Sequence, residues 1–333
     1  MNRASLVFAG LLAVLLPLSL LAGRVWIDPF APALPANAGL ILAELRAPRA
    51  MLAVVIGAGL GAAGAAMQGY LRNPLADPGL FGIAPMAALG AVASFWLVPV
   101  LPPHLAAWSL PALALAGAGG GMALLALIAG RTASDAAGGA GGGIALFTLA
   151  GLMLASLAGA LTALAITLAP NPFALSEIVM WLNGALTDRS WREVAIAAPL
   201  TLAGIGVLAL AARSLDALTL GEEAARSLGV DPARLLLLLV AGVGMTVGAG
   251  VAVAGIIGFV GLVVPHLVRP LTDRLPSSLI LPSALAGACL VLAADSIVRI
   301  LPLVTELRLG IALSLIGAPF FGWLLLRMRR GRL

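Results

Sequence analysis

Long apolar segments separated by short polar stretches run through the whole chain. They lie at about 5–23, 50–70, 79–100, 105–130, 143–169, 192–212, 234–254, 256–268, 278–300 and 309–328. Most approach the roughly twenty residues that a helix needs to cross about 30 Å of hydrocarbon. A membrane barrel would instead alternate apolar and polar residues over about ten positions. The pattern therefore predicts an all-α polytopic membrane protein of about ten transmembrane helices, or nine if the short 256–268 segment does not span.

Composition supports a membrane protein and argues against a soluble one. The chain is 62% hydrophobic and only 10% charged, whereas a soluble domain carries about a quarter charged residues. Its 40 glycines lie largely within the apolar segments, where small residues let membrane helices approach closely. No separate soluble domain or long linker interrupts the pattern, so residues 1–333 are interpreted as one transmembrane domain.

The first apolar segment admits two interpretations. Arg3 followed by the apolar stretch Ser5–Ala22 resembles a secretory signal, and Ala31 and Ala33 loosely resemble a cleavage site. The apolar stretch is longer than a usual signal core, and further spans follow it. We therefore expect it to be retained as the first transmembrane helix.

The charged residues predict an orientation in the membrane. The chain has 19 arginines and no lysine, and the arginines are scattered between spans rather than gathered on one face, so nucleic acid is not an expected partner. With ten spans and both termini in the cytoplasm, twelve arginines lie inside and seven outside, as the positive-inside rule favours. The outer seven are Arg24, Arg46, Arg49, Arg189, Arg192, Arg299 and Arg308. The inner ones include the terminal cluster Arg327, Arg329, Arg330 and Arg332.

The predicted cytoplasmic segment 214–233 contains clear signals for the starts and ends of helices. Glu222 and Glu223 suit the start of a short helix and Arg226 suits its last turn. Gly229 suits a left-handed C-terminal cap, and Asp231 suits the N-cap of the next span. The segment is either an ordinary loop or a docking element for a cytoplasmic partner.

A weak internal repeat is also visible, because glycine-rich runs in 57–64 and 242–250 each precede a proline-containing turn.

Six motifs in order along about 280 residues resemble the FecCD/BtuC-like permeases of ABC importers for iron-siderophores, haem and cobalamin. The motifs are Arg46-Ala-Pro-Arg49, Gly64-Ala-Ala-Met-Gln68, Asn73-Pro-Leu-Ala-Asp-Pro78, the stretch from Leu220 to Val230, the stretch from Ile257 to His266 with Arg269, and Gly317-Ala-Pro-Phe-Phe321. Two departures are Arg308, where the family usually has proline, and Pro85-Met86, where it often has small polar or glycine residues. The resemblance implies ten membrane helices per subunit and a dimer of permeases above a dimer of ATPases.

The resemblance also implies roles for particular residues. ATPase coupling would involve Gly221, Glu222, Ala225, Leu228 and Gly229. Docking of a periplasmic substrate-binding protein would involve Arg46, Arg49 and Arg299, whose guanidinium groups suit carboxylates; the alternative is that they reach lipid headgroups. A cytoplasmic gate would involve Asn73 and Leu75, in what is otherwise a tight turn.

Other polar residues give no catalytic or metal site. His104 and His266 lie far apart in the sequence without ligands at metal-binding spacing. Asp295 lies near the outer end of an apolar run, where an i,i+4 pair with Arg299 accounts for it. No cofactor and no metal are expected on this chain, and the chain is not expected to be an enzyme.

The expected function is that of an inner-membrane permease subunit in an ATP-driven importer. A chain without lysine cannot hold a Walker A loop, so ATP and Mg²⁺ would bind to a separate cytoplasmic ATPase. The cargo would be an iron-siderophore or cobalamin-type chelate, with haem as the alternative within the family. A stand-alone secondary transporter is the alternative from another class, but it usually carries ionisable residues at mid-membrane, and here the span centres have almost none.

Overall fold

The computed structural model of the chain describes residues 3–23, 37–135, 142–169 and 171–329. These residues form helices joined by turns, with no strand among them. The helices are α1 Arg3–Leu21, α2 Ala38–Tyr70, α3 Ile83–Leu97, α4 Pro103–Asp135, α5 Gly142–Thr167, α6 Pro172–Leu182, α7 Trp191–Leu218, α8 Glu222–Ser227, α9 Pro232–Ala254, α10 Val260–Val268, α11 Pro276–Ile300 and α12 Leu309–Arg329. The all-α prediction is therefore confirmed.

Each of the ten predicted spans coincides with a helix. Eight helices in the described part of the chain are long and apolar enough to cross a membrane, namely α1, α2, α4, α5, α7, α9, α11 and α12. The third and eighth predicted spans are the shorter apolar helices α3 and α10. Arg24, Arg330 and Arg332, which entered the topology prediction, lie outside the described residues.

Helix α6 lies between the fifth and sixth predicted spans, where the sequence analysis identified no helix. Asn171 caps it, since its side-chain oxygen accepts a hydrogen bond from the Ala174 amide at 2.9 Å, and Pro172 occupies the first turn. Its 11 residues extend only about 16 Å at 1.5 Å per residue. This helix is therefore too short to span a bilayer, which is why the search for long apolar runs missed it.

Helices α2 and α9 form the centre of the bundle. Their most apolar stretches are 83% and 78% buried, against 17% for α1. A Cβ added to Gly57, Gly61 or Gly64 would collide with backbone of α11 or α10, at Gly287, Ser283 and Gly261 respectively. The glycines of α2 therefore permit backbone contact between helices, as expected for packing in lipid. The internal repeat suggested by the glycine pattern stays a prediction.

Helix α1 is integrated into the bundle rather than set apart from it. It packs along α11, and carbonyl oxygens of its last turn and the residue after it accept hydrogen bonds from Arg46 and Arg299. Helix α1 is therefore part of the described bundle, and its retention in the mature protein stays a prediction.

The bundle has two chemically different ends. We call the end that carries α8 and the turn 71–82 the α8 end, and the end that carries Arg46, Arg49 and Arg299 the arginine end. Helix α2 begins at the arginine end and finishes at the α8 end. Helix α1 begins and helix α12 finishes at the α8 end, as an even number of spans requires.

Candidate coupling and gating site

The segment between α7 and α9 adopts the local structure that its sequence predicts. Gly221 and Gly229 bracket α8, with φ of +106° and +88°, values that glycine adopts without strain. The Val230 amide bonds the Ala225 carbonyl at 3.0 Å across the end of the helix, which satisfies a terminal carbonyl. The Asp231 carboxylate accepts from the Ala233 amide at 2.9 Å and so caps α9.

The five predicted coupling residues divide between the two faces of this segment. Ala225 is 2% exposed and anchors α8 on the bundle, whereas Leu228 is 65% exposed. Gly229 is exposed, and Gly221 and Glu222 are partly exposed. Leu220 is also exposed, so the segment presents two leucines outward. Large apolar side chains exposed together beside charged ones mark a surface suited to a protein partner.

The turn that follows α2 holds the predicted gate residues in a compact arrangement. Asn73 is exposed, and its side-chain oxygen accepts from the Leu75 amide at 2.9 Å. Asp77 caps the short 3₁₀ helix Pro78–Phe81 by accepting from the Gly79 amide at 2.7 Å. Burial raises the pKa of the Asp77 carboxyl, and the Gly79 bond only partly offsets it. Side-chain and backbone bonds within the turn therefore fix its shape.

A mostly apolar cavity of about 410 Å³ lies beside this turn. Leu75 and Asp77 contribute to its wall from the turn, Val251 from α9, and Phe321 from α12. Phe259, at the start of α10, also lines it and has a φ of +66°, a left-handed conformation that is uncommon for an aromatic residue. The predicted gate residue Leu75 therefore borders open space inside the bundle, while Asn73 does not line it.

The coupling segment and the gate turn touch each other at the α8 end. The Arg72 guanidinium lies 3.8 Å from the Glu222 carboxylate, and Arg72 has a φ of +49°. Tyr70 and Ala225 line a small cavity between the end of α2 and α8. On the other side, the Asp216 carboxylate accepts from the Ser277 amide at 2.8 Å and so joins α7 to α11. The sequence placed the two elements on the same side of the membrane but did not predict this contact.

The three arginines predicted to dock a binding protein have partners inside the chain. Arg46 is 9% exposed and donates to the Leu20 and Leu21 carbonyls at 2.8 Å each. Arg49 pairs with Asp295 at 2.8 Å and also with Glu306. Their role in docking stays a prediction. The structure shows in addition that these guanidinium groups form bonds within the arginine end.

The pair of Asp295 with Arg299 is confirmed. Arg299 Nε lies 3.1 Å from the Asp295 carboxylate in the predicted i,i+4 relation, and its Nη2 donates to the Ser19 hydroxyl of α1 at 2.7 Å. Asp295 is fully buried and also forms an ion pair with Arg49. No local sequence pattern indicates this second pair, because Arg49 and Asp295 are 246 positions apart. One buried carboxylate therefore joins α2 and α11.

Glu306 completes this network from the turn between α11 and α12. Burial by itself would raise its pKa, but hydrogen bonds and charge from Arg49 outweigh burial and lower the pKa of this carboxyl below its ordinary value. Its side chain remains 22% exposed, so it borders the surface while Asp295 does not.

Among the outer arginines that the structure describes, Arg192 is the most exposed, and it stacks over Trp108 at 5.0 Å.

No metal centre is evident within the described ranges, because no three His, Cys, Asp or Glu side chains gather there. His104 and His266 lie on different helices, α4 and α10. That the chain binds no metal or cofactor stays an expectation from the sequence.

Comparison with known proteins identifies the family. The model of the FecCD transport family matches residues 11–327. This chain belongs to the FecCD transport family. Members of the FecCD family are transport permeases, and the resemblance seen in the six sequence motifs is thereby confirmed.

Relatives within the FecCD family match along most of their length. The Fe(3+) dicitrate permease protein FecD of Escherichia coli K12 is 38% identical over 87% of this chain and 86% of its own. The hemin permease protein HmuU of Yersinia pestis is 39% identical over 87% and 84%. The vitamin B12 permease protein BtuC of Vibrio cholerae is 37% identical over 98% and 94%.

A solved structure supports the fold independently of these sequence relatives. It is described as an inward-facing conformation of a metal-chelate type ABC transporter, and it superposes with a TM-score of 0.84 at 28% identity, over 97% of this chain and 98% of its own. The helix arrangement of the FecCD-family chain is therefore that of a transporter subunit.

Proposed function

We propose that this chain is the permease subunit of an ABC importer that moves an iron-siderophore or cobalamin-type chelate from the periplasm to the cytoplasm by alternating access. Relatives of nearly equal identity carry Fe(3+) dicitrate, hemin and vitamin B12 in their names. Haem is therefore the alternative cargo. Selection among these cargoes falls to a separate binding protein, since the cavity beside the gate turn has a mostly apolar wall and few polar groups.

The observation that carries the proposal is the contact between an outward-facing coupling segment and the gate turn. Leu220 and Leu228 are exposed on the segment, while Glu222 of the same segment reaches Arg72 of the turn at 3.8 Å. A partner that binds the leucines and moves would therefore displace the turn that bears Asn73 and Leu75. A rigid-body motion of this kind is a common basis of alternating access.

The partner that moves is proposed to be a cytoplasmic ABC ATPase dimer. The chain has no lysine and so no Walker A loop of its own. ATP binding would draw the two ATPases together, and each α8 would follow its ATPase. Two permease copies, expected as a homodimer, would then rock against each other around the pathway.

The orientation proposed is the one that places the α8 end in the cytoplasm of a bacterial cell. The described inner arginines, such as Arg213, Arg226 and Arg234, lie at that end, in agreement with the positive-inside rule. Both termini are then cytoplasmic, and the chain is a multi-pass protein of the inner membrane.

A periplasmic substrate-binding protein is proposed to dock at the arginine end. Arg49 and Arg299 pair with the carboxylates of Asp295 and Glu306, and Arg46 bonds backbone carbonyls beside them. The three arginines and two carboxylates therefore keep one positive charge in excess. Acidic groups of a partner would be attracted to this excess. Because Glu306 is partly exposed, a partner carboxylate would compete with Glu306 for Arg49 without disturbing Asp295.

Transport in proteoliposomes tests the proposal. The chain would be reconstituted with its cognate ATPase and binding protein, and uptake of a radiolabelled iron chelate would be followed with ATP, without ATP, and with an ATPase inactivated in its Walker A lysine. Uptake that needs hydrolysis supports the proposal. Ion-driven uptake by the chain alone would establish the secondary-transporter alternative instead.

A further inference from the structure

A cluster of cationic and aromatic side chains lies at the α8 end, away from the coupling segment. It consists of His266 on α10, Arg269 just after α10, and Phe320, Trp323 and Arg327 on α12. The ring of His266 meets Phe320 at 6.4 Å, Phe320 meets Trp323 at 5.8 Å, and the Arg327 guanidinium lies 5.3 Å above the Trp323 ring. Both arginines lie within electrostatic range of His266. We call this set the α10–α12 cluster.

The cations of this cluster have no carboxylate partner within the described residues. No Asp or Glu oxygen in that part of the chain comes within 4.0 Å of Arg269 or Arg327. Asp273, the nearest acid along the chain, accepts hydrogen bonds from the Leu275 amide and the Ser278 hydroxyl. The arginine end differs, since Arg49 and Arg299 share Asp295 there.

Several donors of the cluster are held in place but unused. Arg269 donates from Nη2 to the side-chain oxygen of Gln68 at 2.9 Å, and Gln68 is itself 2% exposed and bonded to the Gly261 and Leu262 carbonyls. This bond fixes the guanidinium, yet its Nε is buried without an acceptor, and Nδ1 of His266 is buried without a hydrogen-bond partner. A buried donor without a partner is unfavourable, so an anion that supplied acceptors would be stabilised here.

We propose that the α10–α12 cluster binds a phosphate-type anion, and that its source is the headgroup of an anionic inner-leaflet phospholipid. The proposal rests on the orientation under Proposed function, which places the α8 end in the cytoplasm. Trp323 is 51% exposed and its neighbours Leu325 and Leu326 are exposed too, which suits acyl chains beside a headgroup. Tryptophan is enriched at this level of a bilayer, and basic pockets between helices on the cytoplasmic side bind anionic headgroups.

The chemistry of recognition follows from the residues present. Arg269 would hold the phosphate with a fixed guanidinium, since Gln68 already orients it. Arg327, stacked on Trp323, would approach from the opposite helix and join α10 to α12 through the ligand. Binding would therefore brace two helices, one of which also lines the cavity beside the gate turn through Phe321.

Lipid binding to the full chain, measured by native mass spectrometry from detergent, tests this site. Phosphatidylglycerol and phosphatidylcholine of matched acyl chains would be titrated against wild type, Arg269→Gln, Arg327→Gln and the control Arg234→Gln. Arg234 is exposed at the same end but belongs to α9. Wild type should prefer phosphatidylglycerol, each cluster variant should lose about fivefold in its affinity, and Arg234→Gln should retain it.

Further arms separate the alternatives. Arg327→Gln lies at an exposed helix end and keeps the proposal testable if Arg269→Gln fails to fold. Excess inorganic phosphate that displaces the lipid with the same variant pattern would assign the site to a soluble anion, while persistence of the lipid supports the headgroup. Equal affinity for the two lipids, or an equal loss in Arg234→Gln, would overturn the site.

The same titration with the ATPase partner bound addresses a contact between proteins. Retained lipid supports the proposal, and its release would assign the cluster to the ATPase interface and overturn the lipid site. The measurement does not depend on transport. Failure of lipid binding therefore leaves the proposed importer function intact, and failure of transport leaves the lipid result intact.

Discussion

Arg72 and Glu222 face each other 3.8 Å apart, one in the turn that follows α2 and the other in the first turn of α8. They are the one ion pair among the described residues that joins the gate turn to the coupling segment. Arg72 reaches this position from a left-handed backbone conformation, which costs a non-glycine residue about 1 kcal/mol or more. A strained residue that bridges two elements with separate proposed roles is a candidate for carrying motion between them.

Exchange of these two charges is expected to separate coupling from folding. Arg72→Glu should lower chelate transported per ATP hydrolysed, while the double variant Arg72→Glu with Glu222→Arg should recover part of it. Thermal stability should change little, since partly exposed ion pairs contribute about 0–1 kcal/mol. Uptake and phosphate release measured together in proteoliposomes check this. The exposed Arg213→Gln, at the same end, serves as control; a double variant no better than Arg72→Glu would contradict the contact's role.

Leu228 on the coupling segment is expected to contribute to ATPase binding. It is 65% exposed, so Leu228→Ser should leave the fold intact. Association should weaken by about 1.5–3 kcal/mol, the value of burying a leucine, or roughly tenfold to a hundredfold in affinity. Affinity of purified ATPase for the chain in nanodiscs gives the measurement. Leu271→Ser, equally at the α8 end but outside the segment, is the matched control and should bind as wild type does.

Asp295 is expected to be the most sensitive position at the arginine end. It is fully buried between Arg49 and Arg299, and Asp295→Ala removes the carboxylate that pairs with both guanidinium groups. Removal of one partner from a buried ion pair costs about 3–5 kcal/mol. The unfolding temperature in detergent should therefore fall clearly, whereas Arg192→Gln on the exposed side of the same end should change it little. An unaltered melting curve for Asp295→Ala would argue against the network.

The Glu306 carboxyl predicts a specific pH dependence of stability. Because its pKa is lower in the folded chain than in the unfolded one, its pairing with Arg49 stabilises the fold above the ordinary glutamate value of about 4.3. That contribution is lost as the pH falls through the lower, folded-state pKa. The difference in unfolding temperature between wild type and Glu306→Gln should thus be constant near neutral pH and shrink below about pH 4. A difference that persists unchanged in acid would be inconsistent with this assignment.

Docking of the binding protein can be tested apart from stability. Charge reversal at Arg46 and Arg49 is expected to weaken docking in a salt-sensitive manner, because salt screens the attraction between charges on two proteins. Since Arg49 also holds Asp295, Glu306→Gln provides the informative second variant: it frees Arg49 from its exposed competitor and should strengthen docking. Affinity at two ionic strengths, with folded fraction checked by gel filtration, gives the comparison. Unchanged docking and uptake in the arginine variants would remove these residues from the interface.

Local sequence signals predicted the elements that depend on neighbouring residues. The lengths of the apolar segments located eight helices long enough to span and the two shorter apolar helices α3 and α10. Gly229 and Asp231 marked the end of α8 and the start of α9, and the i,i+4 spacing paired Asp295 with Arg299. Each of these depends on residues a few positions apart, where helix geometry fixes the distance. Helix α6 was not predicted because its 11 residues are too few for hydrophobic periodicity to distinguish a helix from a loop.

The contacts that matter for mechanism join residues far apart in sequence. Arg49 and Asp295 meet across 246 positions, and Arg72 and Glu222 meet only because α2 and α7 finish at the same end. No spacing rule connects such pairs, since their distance depends on how α2 packs against α7 and α11. The sequence motif that suggested docking by Arg46 and Arg49 likewise carried no sign of their partners within the chain.

ATP-dependent uptake by the reconstituted complex, compared between wild type and Leu228→Ser, tests the central claim most directly. The account predicts chelate accumulation in wild-type proteoliposomes only when the ATPase hydrolyses ATP. It also predicts that Leu228→Ser weakens ATPase binding by roughly tenfold to a hundredfold and lowers uptake with it, while the chain stays folded. Accumulation by the chain alone under an ion gradient, with no response to ATP or to Leu228→Ser, would contradict the account.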